Sequence, residues 1–209
     1  MKNKVSSLLN NIWLIIIDYK RMNTKNMHKN KDGIYIYNEE AYEGIKKACE
    51  IASKTLDMIG NYVKSGATTE ELNKKCHDFI LSHNSVPATL GYRGYPKSCC
   101  ISLNHVVCHG IPSDKKLKNG DILNIDVTCI LDGWYGDTSR MFTVGNIGLK
   151  AKRLIELTHD ALFLAIKNVT PGKTFGDLGA VIQEYVEKHK MSVVRDFCGH
   201  GIGSEFHQA

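Results

Sequence analysis

Asp126 and Asp137 lie close together in "NIDVTCILDGWYGDTS" (124–139), and their spacing is the first sign of chemistry in this chain. On a hairpin turning at Asp132-Gly133, Leu131 pairs with Trp134, Thr128 with Asp137 and Asp126 with Ser139. The two carboxylates then stand on one sheet face as diagonal neighbours, about 7–8 Å apart at the backbone. Two ionised acids so placed repel, and burial without a cation raises at least one pKa. A bound divalent metal resolves the conflict, because carboxylate oxygens are good ligands for such ions. The spacing alone also admits two solvated strand residues. Aspartate is depleted in strand interiors, however, and the opposite face of this hairpin is apolar.

Three histidines add nitrogen donors: His109 in "VVCHGIP", and His200 and His207 in "GHGIGSEFH". A histidine beside glycine is by itself more often a hydrogen-bonded loop residue than a ligand. Gly199 and Gly201 allow close backbone approach around His200. "GHGIG" lacks the G-x-G-x-x-G spacing and the following helix that a phosphate loop needs.

The elements that must aim these groups can be read around them. "ILNIDVTCI" (122–130) alternates strictly, with Leu123, Ile125, Val127 and Cys129 facing a core and Asn124, Asp126 and Thr128 facing away. "WYGDTSRMFTV" (134–144) is the return strand. Upstream, Ile45, Cys49, Ala52, Leu56, Ile59 and Val63 have helical spacing, and Thr68-x-x-Glu71 starts a second helix with a capping box. Residues 87–112 hold three of the four prolines and read as loop with short strands. A third helix spans about 151–166, with Leu154, Leu157, Ala161 and Ile166 on its apolar side. Pro171-Gly172 ends it, and a fourth helix carries Leu178, Ile182, Tyr185 and His189.

An internal echo links the halves. "GATTEEL" (66–72) and "GKTFGDL" (172–178) share a pattern, a histidine follows each at the same distance (His83, His189), and "CHGI" (108–111) answers "GHGI" (199–202). Three matches in one order indicate two copies of one supersecondary unit. The first copy continues into the hairpin; the second reaches the end of the sequence where its hairpin would begin.

Bulk composition narrows the function. The net charge of +5 is mild, and seven of the 27 basic residues fall within the first 31 positions, so the main body is nearly neutral. That argues against a nucleic-acid-binding face. Seven cysteines without a C-x-x-C pair argue against a disulfide framework and for a reducing compartment. "IWLIII" (12–17) is too short to span a bilayer. Residues 1–37, rich in Lys and Asn, read as an N-terminal extension that is either disordered or a targeting segment. Residues 38–209 carry every element named above and read as one domain.

"GYRGYPKSCCISLNHVVCHGIP", "NGDILNIDVTCILDGWYGDTSRMF" and "GHGIG…FH" resemble type I methionine aminopeptidases of the M24 metallopeptidase family over residues 40–209. The resemblance implies the α+β "pita-bread" fold with a pseudo-twofold repeat, its second half incomplete here, which makes residues 38–209 a catalytic domain truncated at its C-terminal side. It implies removal of the initiator methionine from nascent polypeptides whose second residue is small, and two divalent metal ions drawn from Co, Mn, Fe, Zn or Ni. By the family pattern Asp126, Asp137 and His200 are metal ligands, with Asp137 bridging. His109 and His207 contact substrate and steady the intermediate, which with His200 gives the catalytic histidines. Tyr92, Tyr95, Cys100 and Phe206 match the methionine pocket, while Thr89 and Arg93 stand where relatives often have Cys and His. The expected partners are nascent N-termini at the ribosome, with no specific nucleic acid, no membrane and a monomeric state. The expected location is the cytoplasm, with organelle import through residues 1–37 as the alternative.

The family uses two further glutamates beyond the "FH" motif, one of them the general base, and this sequence holds no residues there. Three readings follow: a fragment of an active enzyme, an inactive relative, or a peptide-binding module that keeps the groove without catalysis.

Overall fold

The computed structural model describes residues 28–208. The "IWLIII" stretch and most of the N-terminal extension lie outside these residues. The described part of that extension, residues 28–37, contains a small antiparallel pair, β1 (His28–Lys29) and β2 (Tyr35–Ile36). Just after it, the Tyr37 ring meets the Trp134 ring edge-on at 5.7 Å.

The main sheet is organised around β5 (Ile122–Leu131). β6 (Trp134–Thr143) pairs with it along its whole length in the register the Asp-Gly turn dictates: Leu131↔Trp134, Thr128↔Asp137, Asp126↔Ser139. Asp132 and Gly133 both have positive φ, 51° and 80°, as a two-residue type I′ hairpin turn requires. The other edge of β5 is shared by β3 (Val86–Pro87), opposite Cys129 and Ile130, and β4 (Cys100–Leu103), opposite Leu123 to Asp126. Leu123, Ile125, Val127 and Cys129 are all fully buried, as the alternation requires.

Two helices cover the apolar side of this sheet. α1 (Glu39–Gly60) starts at Asn38, whose side chain accepts a hydrogen bond from the Ala41 N–H, and Glu39 and Glu40 face the positive end of its dipole. It buries Ala48, Ala52, Leu56 and Ile59 against β5 and β6. The approach is close at Gly136, where a Cβ would stand 2.2 Å from the Ala48 carbonyl carbon, so only glycine lets helix and strand meet. α2 (Thr69–Ser82) opens with the expected capping box: Glu71 N–H donates to Thr68 Oγ1 and Thr68 N–H to the Glu71 carboxylate. Leu72, Cys76 and Ile80 close the core.

α3 (Leu149–Lys167) and α4 (Phe175–Lys188) pack on each other. α4 repeats the capping box with Thr174 and Asp177. The expected apolar face of α3 is only partly a core face. Leu157, Ala161 and Ala165 are buried, but Leu154 and Ile166 are 45% and 53% exposed, a departure from the sequence-based assignment. Periodicity reports that a face is apolar, not what covers it. Among the described residues no sheet lies under α3 and α4, and the segment beyond α4 forms one isolated bridge, Gly201↔Gln208. No helix of the described residues is long and apolar enough to cross a membrane.

Candidate metal centre and substrate pocket

A pocket of about 500 Å³ opens on the face of the hairpin opposite the core. Every side chain singled out from the sequence lines it: Asp126, Asp137, His109, His200, His207, Tyr92, Tyr95, Cys100, Phe206, Thr89 and Arg93. Gly94, Pro96 and Ile111 complete the wall and were not anticipated. They follow directly on positions that were, so motif extension could have found them.

β5 and β6 aim the carboxylates. Thr128, opposite Asp137 in the ladder, is buried, and its hydroxyl donates to Asp137 Oδ1 at 2.9 Å. This fixes one oxygen of Asp137 and leaves the other toward His200, whose Nε2 lies 3.9 Å from Oδ2. Burial first, then the charge of Asp137 and a hydrogen bond with it, holds the Asp126 carboxyl well above the usual carboxylate range. Below about pH 7 the pair therefore keeps a proton where the two acids approach. Cys100, opposite Asp126 on β4, is also pushed up, to about 11, chiefly by burial. It stays a thiol and acts as an apolar wall.

The histidines arrive from two loops. His109 has φ 54°, a left-handed conformation that costs a non-glycine residue on the order of 1 kcal/mol. The next residue, Gly110, sits so close to Ile101 that a Cβ would stand 2.3 Å from its carbonyl oxygen. Its own carbonyl accepts from the Ile101 N–H and from Tyr95 Oη, both at 2.8 Å. His109 is thus held by a backbone clamp onto β4. His200 and His207 stack at 4.3 Å between ring centroids, and His207 Nδ1 shares a 2.8 Å hydrogen bond with Tyr92 Oη. Loss of water, followed by the proximity of His200, lowers the His207 pKa, which favours the neutral ring at pH 7. Phe206 lies against Tyr92 at 4.7 Å and Tyr135 at 5.7 Å, giving the pocket an aromatic side.

Tyr37 was not flagged by the sequence, yet its hydroxyl donates to Gln208 Oε1 at 2.6 Å and accepts from the Ser204 N–H at 3.3 Å. It steadies the strand of chain that carries Phe206 and His207. A single aromatic residue ahead of a helix gives no signal of a partner 171 positions away.

The donor set suits a divalent ion: two carboxylates, one proton-sharing, with an imidazole facing them. Among the described residues no three of these groups form a closed ligand cluster, and His200 Nε2 approaches Asp137 Oδ2 to 3.9 Å. The sheet places the oxygens, and a loop brings the imidazole nitrogen up to them.

This fold and this site define a metallopeptidase. The chain belongs to metallopeptidase family M24, whose model matches residues 43–209, and divalent metal dependence comes with that family. A methionine aminopeptidase of Rickettsia prowazekii is 58% identical over 174 residues, covering 83% of this chain and 67% of the relative. The crystal structure of a methionine aminopeptidase from that organism superposes with a TM-score of 0.83 at 57% identity, covering 84% of this chain and 71% of the other. The Thermotoga maritima methionine aminopeptidase gives 0.82 at 34% identity with the same coverage. The architecture is the pita-bread fold, and the chain spans about two thirds of the length of the curated relatives it matches.

Proposed function

We propose that the protein is a methionine aminopeptidase that removes the initiator methionine from nascent polypeptides with a small second residue, using two divalent ions. The observation that carries this reading is the joint placement of Asp126, Asp137, His109, His200 and His207 on one pocket with an aromatic wall. When bound, the ions would polarise the scissile carbonyl and activate water. Asp126, Asp137 and His200 would hold them, and the Thr128 hydroxyl already orients one oxygen of Asp137. His207 in its neutral form can present one N–H to substrate while Tyr92 occupies the other nitrogen. His109, held by its backbone clamp, approaches from the opposite loop. Tyr92, Tyr95, Cys100 and Phe206 would enclose the flexible thioether side chain, which suits a mixed aromatic and thiol wall. The contacts that select methionine are thus separate from those that hold metal.

The test is hydrolysis of Met-Ala-Ser by the chain completed through the two further glutamates of the family pattern and loaded with Co²⁺ or Mn²⁺, with chelator as control; residues 1–209 alone should show little or no turnover. Release of free methionine that stops with chelator is expected. Methionine release undiminished by chelator or by Asp137→Ala would overturn the reading.

A further inference from the structure

Of the residues that line the pocket, one carries a permanent positive charge, Arg93. It is exposed, and no described carboxylate pairs with it. The other cation of this loop, Lys97, is bound to Glu70 at 2.6 Å and so is largely neutralised. Arg93 also has φ 48°, between Gly91 and Gly94 at 84° each, so arginine occupies a left-handed position that glycine would fill without strain. Its guanidinium carbon lies 5.4 Å from the centroid of the Tyr92 ring, and Tyr92 in turn holds His207. The guanidinium thus stands on the exposed rim of the pocket, against the Tyr92 ring.

We propose that Arg93 is a specificity-determining residue that favours peptides with an acidic side chain at the third or fourth position. This rests on the aminopeptidase reading above. A peptide whose first residue fills the aromatic wall and whose first amide reaches Asp126 and Asp137 leaves through the exposed mouth, past Arg93. A carboxylate there meets an unpaired guanidinium whose fork geometry matches it. Bound metal would neutralise the two aspartates, so no negative charge in the pocket opposes the attraction.

The experiment is calorimetric binding to the Mn²⁺-loaded chain. The ligands are Met-Ala-Asp-Glu, Met-Ala-Asn-Gln and Met-Ala-Lys-Lys amides whose first amide is replaced by a non-hydrolysable ketomethylene. The acidic peptide should bind about two- to fivefold more tightly than its neutral isostere, and the lysine peptide should bind most weakly. The difference should shrink at high salt. Arg93→Gly relieves the backbone, so it should fold at least as stably, and it should bring the ratio of acidic to neutral peptide affinity close to one; Arg93→Lys should keep part of the preference. Equal binding of all three peptides to the parent chain, or a preference that survives Arg93→Gly, overturns the Arg93 assignment and leaves the peptidase reading intact. Failure of all three peptides to bind overturns both.

Discussion

The two copies of the repeated unit begin alike. Thr68 and Thr174 close matching capping boxes, and His83 and His189 end the helices that follow. Each of these histidines reaches back to the carbonyl four residues earlier, Phe79 at 2.9 Å and Tyr185 at 2.8 Å, and stacks on that residue's ring at 4.2 and 4.5 Å. Asn84 and Lys190 then take positive φ, 56° and 60°. The units part company in what lies beneath them. α1 and α2 press on the sheet and bury a continuous core, whereas α3 and α4 meet each other and leave Leu162 and Phe163 53% and 47% exposed. Local signals set the helices and their caps; a sheet partner decides whether their apolar faces become a core. The metal site spans this divide, with its carboxylates on the packed half and two of its histidines on the other.

That contrast can be broken by mutation. Leu123→Ala removes a fully buried side chain beneath the hairpin and should cost about 2–5 kcal/mol in denaturant unfolding. A loss below about 1 kcal/mol would mean the first half is not the stability core. The matched caps give a finer comparison. Thr68→Ala should lower global stability by about 1 kcal/mol, while Thr174→Ala should raise amide exchange in α4 about fivefold with little change in the global transition. Equal global effects would make the halves one cooperative unit. Leu162→Ala should change stability by no more than about 0.5 kcal/mol, because about half of its surface already faces water. A cost near 2 kcal/mol would show that this face is covered in solution.

The hairpin was legible because two independent signals agreed: strict alternation and a turn that fixes register. Asp126 and Asp137 could therefore be placed on one face from the sequence alone, whereas His109, His200 and His207 were assigned to the same site by the motif resemblance. The motif resemblance supplied Tyr92, Tyr95, Cys100 and Phe206, which local patterns would not have found. What stayed hidden depends on contacts between distant parts of the chain or on backbone strain. Tyr37 supporting Gln208, the left-handed φ of His109 and Arg93, and the exposure of Leu154 and Ile166 all belong there. The hydrogen bond from Thr128 to Asp137 follows from their register, yet a pairing alone does not say which way a hydroxyl points.

The central claim is that two strand aspartates and a loop imidazole take up divalent metal, and titration calorimetry with Mn²⁺ at several pH values tests it most directly. The raised pKa of Asp126 sets the sign: the folded, metal-free site holds a proton that the ion must displace, so affinity should rise with pH by roughly tenfold per unit until that carboxyl is ionised. Asp137→Ala should weaken uptake by more than about 100-fold, beyond what an outer-shell partner costs. Saturable uptake that strengthens with pH and vanishes in Asp137→Ala is the result this account predicts. No uptake by the folded chain, or uptake unchanged by Asp137→Ala, would contradict it.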